Sequence, residues 1–188
     1  MSNNLFEQNL DEHVQAICDA LKGMDVPEQV KTLNRVRALL GEDGPFKDKP
    51  VNYVEWVPND TVEGNDYNPN KVAPPEMRLL THSIDRDGYT QPIVSHKNAD
   101  VNEVVDGFHR ARCGKEVTKI RERVKGYLPI TCVRQEQKDR GSRIGATIRH
   151  NRARGVHGVL PMVDVVAELA KDCDKSNEEI AKELGMDA

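Results

Sequence analysis

The chain has 188 residues, of which 31% are charged and 37% apolar, enough for one good-sized domain with helical appendages. No apolar run approaches the roughly 18 residues of a bilayer span, and MSNNLFEQNLDEHV lacks the basic and apolar regions of a secretory signal. Cys18, Cys113, Cys132 and Cys173 are scattered without a CxxC pair, which excludes a zinc site or disulfide framework and points to a cytoplasmic protein. The net charge of −4 is uneven: residues 1–50 carry −3, 51–133 carry −1, 134–163 carry +5 and 164–188 carry −5. A short basic segment inside an acidic chain is the pattern of a local anionic partner.

In chain order, residues 1–42 predict two helices. Leu10, Val14, Ile17 and Leu21 recur at helical spacing, as do Val30, Leu33, Val36 and Leu40 after the GMDVP break. The GEDGPFKDKP linker ends this helical hairpin, a packing or dimerisation element spanning 1–50. VNYVEWV predicts a strand, with Tyr53 and Trp56 as core residues, and a polar loop follows it. Pro75 then opens a helix whose Met77, Leu80 and Ile84 share a face until Gly88 stops it. QPIVSH and VNEVVD predict two more strands, helices follow over 108–115 and 117–125, and LPITCV predicts a fourth strand. From Gln135 onward the pattern is helical. Ser176 with Glu179 forms a capping box ahead of Ile180, Ala181 and Leu184, with Gly185 as C-cap. This segment has the pattern of the first helix and turn of a helix-turn-helix, and the chain stops at Ala188 before a second helix. The expected fold is α/β (α+β): a small mixed-sheet domain over 51–134, preceded by a helical hairpin and followed by a helical extension over 135–188.

EVVDGFHRAR, residues 103–112, carries the chemistry. A strand end, a glycine and a helix N-terminus make a phosphate cradle, because the first turn offers unpaired N–H groups and the positive end of the dipole. Gly107 lets the backbone approach, Arg110 presents a planar fork, and His109 adds a donor. Asp106 sits awkwardly beside a phosphate unless it orients His109, holds a metal ion or accepts a proton. From spacing alone the signal is weak, and an ordinary strand-to-helix corner with solvated basic side chains is the better reading.

TQPIV (90–94), VVDGFHRAR (104–112) and RHNRARG (149–155) together resemble the three boxes of the ParB/sulfiredoxin superfamily. The narrower resemblance, over roughly 51–185, is to IbrB-like ParB-domain proteins, co-activators of prophage gene expression. It implies a nucleoside triphosphate or diphosphate (CTP, or ATP/ADP) with Mg²⁺, held by Gln91, Pro92, Ile93, Gly107, His109, Arg110, Arg112, Asn151 and Arg154, with Asn151 near the metal. It also implies a DNA-associated transcription regulator with DNA and a phage or host protein as partners. Arg140, Arg143, Arg149 and Arg152 on the basic segment would meet nucleic-acid phosphates.

Two departures bear on activity. His150 stands where the family carries a glutamate linked to hydrolysis, which favours binding over triphosphatase activity. Phe108 stands where sulfiredoxins carry their reactive cysteine, which excludes that repair chemistry. Asp106-Gly107-Phe108-His109-Arg110 also matches the segment of the superfamily's free-serine kinases. The alternative is therefore a small-molecule phosphotransferase, with Asp106 as catalytic group and Glu63 or Asp66 upstream, or a ParB-like nuclease.

Overall fold

The computed structural model describes residues 3–65, 74–133, 144–147, 163, 166–167, 169–171 and 176–184. Two compact units divide the chain at Lys47 and Asp48. The first holds α1 (Asn3–Lys22) and α2 (Val26–Asp43). Asp25 starts α2 through a reciprocal capping box: its carboxylate accepts from Glu28 N at 2.9 Å, and Glu28 Oε2 accepts from Asp25 N at 3.2 Å. Pro27 in the first turn needs no helical donor.

The second unit holds β1 (Glu55–Pro58), β2 (Val62–Glu63), α3 (Pro74–Asp87), β3 (Ile93–Asn98), β4 (Val101–Asp106), α4 (Phe108–Glu116), α5 (Thr118–Arg123), β5 (Tyr127–Cys132) and α6 (Asn177–Leu184). Its strands form one mixed sheet in the order β1-β5-β3-β4-β2. β1 runs antiparallel to β5, β5 parallel to β3, β3 antiparallel to β4, and β4 parallel to β2. The fold class is the expected mixed α/β.

Three local expectations differ from the structure. The first strand begins at Glu55 rather than Val51, because Pro50–Asn52 winds into a 3₁₀ turn. That turn is held by the Thr131 hydroxyl, which donates to the Pro50 and Tyr53 carbonyls. Tyr53, between that turn and the strand, and Trp56, on this edge strand, are half-buried, not core. The expected polar loop also contains β2, two residues paired with Asn102 and Glu103. So short a strand carries no readable period, and it exists because Val62 drops into the core at 1% exposure.

The core under the sheet joins Val62, Ile93, Val104, Ala111, Leu128 and Ile130. A second cluster joins Ile84, Cys113 and Ile120 between α3, α4 and α5. Tyr89 packs against both clusters, and its hydroxyl donates to the Arg110 carbonyl at 2.8 Å. Gly114 allows this closeness: a Cβ there would lie 2.4 Å from both Leu128 Cδ2 and the Tyr89 oxygen. Together these contacts fix α4 against the sheet, and with it the corner at Gly107.

Candidate functional site

β4 ends on Asp106, and Gly107 turns the chain with φ 92° and ψ 23°, the left-handed region open to glycine. α4 starts at once. Its first ladder bond runs from Ala111 N to Gly107 O at 2.9 Å, so the N–H groups of Phe108 and His109 lie ahead of the ladder. No side chain caps this end. A second constraint fixes glycine here, since a Cβ would lie 2.8 Å from Arg110 Nη2.

Arg110 folds back over that glycine. Its Nη1 donates to Gln91 Oε1 at 3.1 Å, and its Nη2 to the Pro92 carbonyl and to Asp106 Oδ2, both at 3.3 Å. The Arg110 and Asp106 side chains are 15% and 5% exposed, respectively. The guanidinium thus ties the entrance of β3 to the end of β4. Gln91, Pro92, Ile93, Asp106, Gly107 and Arg110 come together around one corner. The puzzle of an acid beside an anion cradle has a structural answer: Asp106 is the counter-ion of Arg110.

The other residues divide. Arg112 makes a bidentate contact with Glu116 on the same helix, at 3.0 and 2.8 Å. Glu116 holds the Arg112 guanidinium above its ordinary range and is itself held below the usual carboxylate range. Glu63 is exposed on β2. Asp66, Arg140, Arg143, Arg149, His150, Asn151, Arg152 and Arg154 lie outside the described residues, so the expected Mg²⁺ position and the whole third box do too. Among the described residues no group of three or more His, Cys, Asp or Glu side chains converges.

His109 stacks edge-on against Phe108, with ring centroids 5.4 Å apart at 82°. Both of its ring nitrogens are shielded from solvent without a hydrogen-bond partner among the described residues. Buried polar atoms left unmatched in this way call for a partner, and they belong to the first turn of an uncapped helix. Burial, and then the charge of Arg112, push the His109 pKa below its ordinary value. The unfolded chain therefore binds the proton more readily than the fold does. Stability is retained above the ordinary value of about 6.5 and falls as pH drops from there through the folded value. Denaturant midpoints measured from pH 7.5 down to 5 should decline, and His109→Gln should flatten that decline.

The corner also has support that sequence reading does not anticipate. Phe108 lies against Gly64, where a Cβ would come within 2.5 Å of its ring. Next to it, Asn65 Nδ2 donates to the Val104 carbonyl at 2.6 Å and to Thr147 Oγ1 at 3.4 Å. Thr147 and Ile144 are fully buried on a helical turn at 144–147. Thr147 precedes His150 by three residues, so this bond anchors the chain shortly before the third box. A small-polar pair, Gly64-Asn65, in an otherwise ordinary loop is the available signal.

Residues 157–188 match the sequence model described as the IbrB-like C-terminal HTH domain. Within it, α6 carries the expected capping box: Ser176 N donates to Glu179 Oε2 at 2.8 Å, and Glu179 N to Ser176 Oγ at 3.2 Å. Solved structures that resemble the chain include the C-terminally truncated chromosome-partitioning protein ParB of Caulobacter crescentus complexed with CTP-γ-S. That likeness has TM-score 0.43 and 21% identity, over 71% of this chain and 72% of that one. The same protein complexed to the centromeric parS site gives TM-score 0.46 and 18% identity, over 71% and 65%. A Pnob8-like ParB-N domain gives 0.45 and 15%, over 69% and 49%. In sequence, the chain is 45% identical to YbdM of Escherichia coli (strain K12) over 175 residues, 93% of this chain and 82% of that protein. With identity at that level along nearly its whole length, the protein belongs to the family of YbdM, with an IbrB-like helix-turn-helix match at its C-terminal end.

Proposed function

We propose that this protein is a nucleotide-responsive, DNA-associated regulator in which the corner at Gly107 receives the phosphates. The observation that carries the reading is the uncapped start of α4 at Gly107, with the two nitrogens of His109, unpartnered among the described residues, beside it. Backbone N–H groups of Phe108 and His109, one imidazole nitrogen and the Arg110 guanidinium are the donors an oligophosphate needs. A nucleoside di- or triphosphate, CTP or ATP/ADP, suits that donor set, with Mg²⁺ assigned to Asn151 by resemblance and Arg154 as a further phosphate contact. Phosphate binding requires Arg110 to share its charge between Asp106 and the ligand. The Asp106 contact in turn favours binding over phosphotransfer, since the carboxylate is already engaged by the Arg110 guanidinium.

DNA association rests on the helix-turn-helix match over 157–188 and on the +5 charge of 134–163. The Asn65–Thr147 bond, whose second partner lies within that basic stretch, offers a link between the two functions. A ligand that binds one arrangement of that segment better than another shifts its population. Fluorescence anisotropy with a labelled duplex, titrated with and without nucleotide, tests the coupling: the expected result is a nucleotide-dependent change in DNA affinity. Replacing Arg140, Arg143, Arg149 and Arg152 with glutamine should flatten the slope of log K against log salt by about 3 to 4, near 0.9 for each phosphate no longer neutralised. An unchanged slope would remove the basic segment from the interface.

A further inference from the structure

We propose that the groove between α3 and the α4–α5 corner is a second ligand site, for a small organic anion with an apolar body, such as a short-chain carboxylate. The groove encloses about 350 Å³, within the size range of small-molecule sites. Met77 on α3 and Val117 and Ile120 at the α5 end provide an apolar floor. Ile120 is 2% exposed and belongs to the rigid cluster with Ile84 and Cys113, so the floor is preformed. The Thr81 hydroxyl donates to the Met77 carbonyl at 2.8 Å and faces Cys113 Sγ at 3.5 Å, so it is already engaged within the wall.

Charge decides the class of ligand. Among the described residues Asp85 is the one acid lining the groove, and Lys119 satisfies it at 2.6 Å. That contact holds the Asp85 carboxyl below its usual range, so the pair stays ionised and internally balanced. Arg123 also closes on the backbone there, donating to the Asp85 carbonyl. Arg78 and His82 remain, one helical turn apart on α3. Arg78 has no hydrogen-bond or ion-pair partner among the described residues. An apolar floor under an unbalanced guanidinium complements one carboxylate head on a hydrocarbon body. A cationic ligand would face Arg78, and a purely apolar one would leave it unused. A short apolar floor under one guanidinium matches a single small molecule better than the row of i, i+3, i+4 and i+7 anchors of a docked helix.

The test is an NMR titration of the full ¹⁵N-labelled chain with hexanoate, hexan-1-ol and hexylammonium in parallel. Hexanoate should produce saturable amide shifts confined to 77–85 and 117–120, with a dissociation constant on the order of millimolar. Arg78→Ala, an exposed change that leaves the core untouched, should weaken it about fivefold, as for one exposed ion pair. Equal responses to hexylammonium or hexan-1-ol would overturn the anion preference. The absence of saturable shifts, or a response only to an acidic helical peptide, would overturn the small-molecule site.

Discussion

Asp106→Ala lowers the stability of the second unit by about 3 kcal/mol, the cost of stranding one member of a largely buried ion pair. Arg110 would keep its bonds to Gln91 and the Pro92 carbonyl but lose the carboxylate at 3.3 Å, in a position where its side chain is only 15% exposed. For a unit of this size that is a fall of roughly 6–12 °C in melting temperature, read by calorimetric or circular-dichroism melts. A double-mutant cycle with Arg110→Met should show strong coupling, with the pair of changes milder than the sum of the single ones. Asp106→Asn separates the roles of the acid. It keeps the shape and removes the charge that competes with a ligand phosphate, so phosphate affinity should rise, by up to about tenfold. A drop in affinity would instead place Asp106 among the groups that hold the ligand or its metal.

Gly107→Ala has the second large effect, and it falls on binding as well as folding. The alanine would have to adopt φ 92°, which costs about 1–3 kcal/mol, and its Cβ would push on the Arg110 guanidinium 2.8 Å away. Arg110 relieves the clash by shifting its guanidinium off the corner, which loosens its bonds to Gln91, Pro92 and Asp106. Phosphate binding should therefore disappear even where melts show the variant still folded. His109→Ala, at a half-buried site off the backbone turn, should weaken binding while sparing stability at neutral pH. The two variants separate a damaged corner from a missing donor.

Much of this corner is readable in the chain. Pro92 and Gly107 punctuate apolar runs that can only be short buried strands, and Phe108–Glu116 begins where Gly107 leaves off. The capping box at Ser176 is equally plain, because Ser and Glu three residues apart bond reciprocally whatever surrounds them. The role of Asp106 is not legible, although it lies four residues before Arg110, because that pair spans a turn rather than one helix. β2 and the Pro50–Asn52 turn escape sequence reading for a different reason: both are set by distant partners, Asn102 and Thr131, and not by local pattern. The Asn65–Thr147 bond joins residues 82 apart in sequence, and no spacing rule anticipates such a pairing. Trp56 misleads because its size suggests a core, whereas an edge strand buries only one side of it.

The function proposed for this protein depends on whether the corner at Gly107 receives nucleotide phosphates. Titration calorimetry of the full chain with CTP, ATP, ADP and GTP, each with Mg²⁺, tests it most directly when run beside Gly107→Ala and His109→Ala. Saturable binding of at least one nucleotide is the expected result, abolished in the first variant and weakened in the second. Binding to none of the four, or undiminished binding in a folded Gly107→Ala protein, would contradict it and leave the turn as a structural corner held by Asp106 and Arg110.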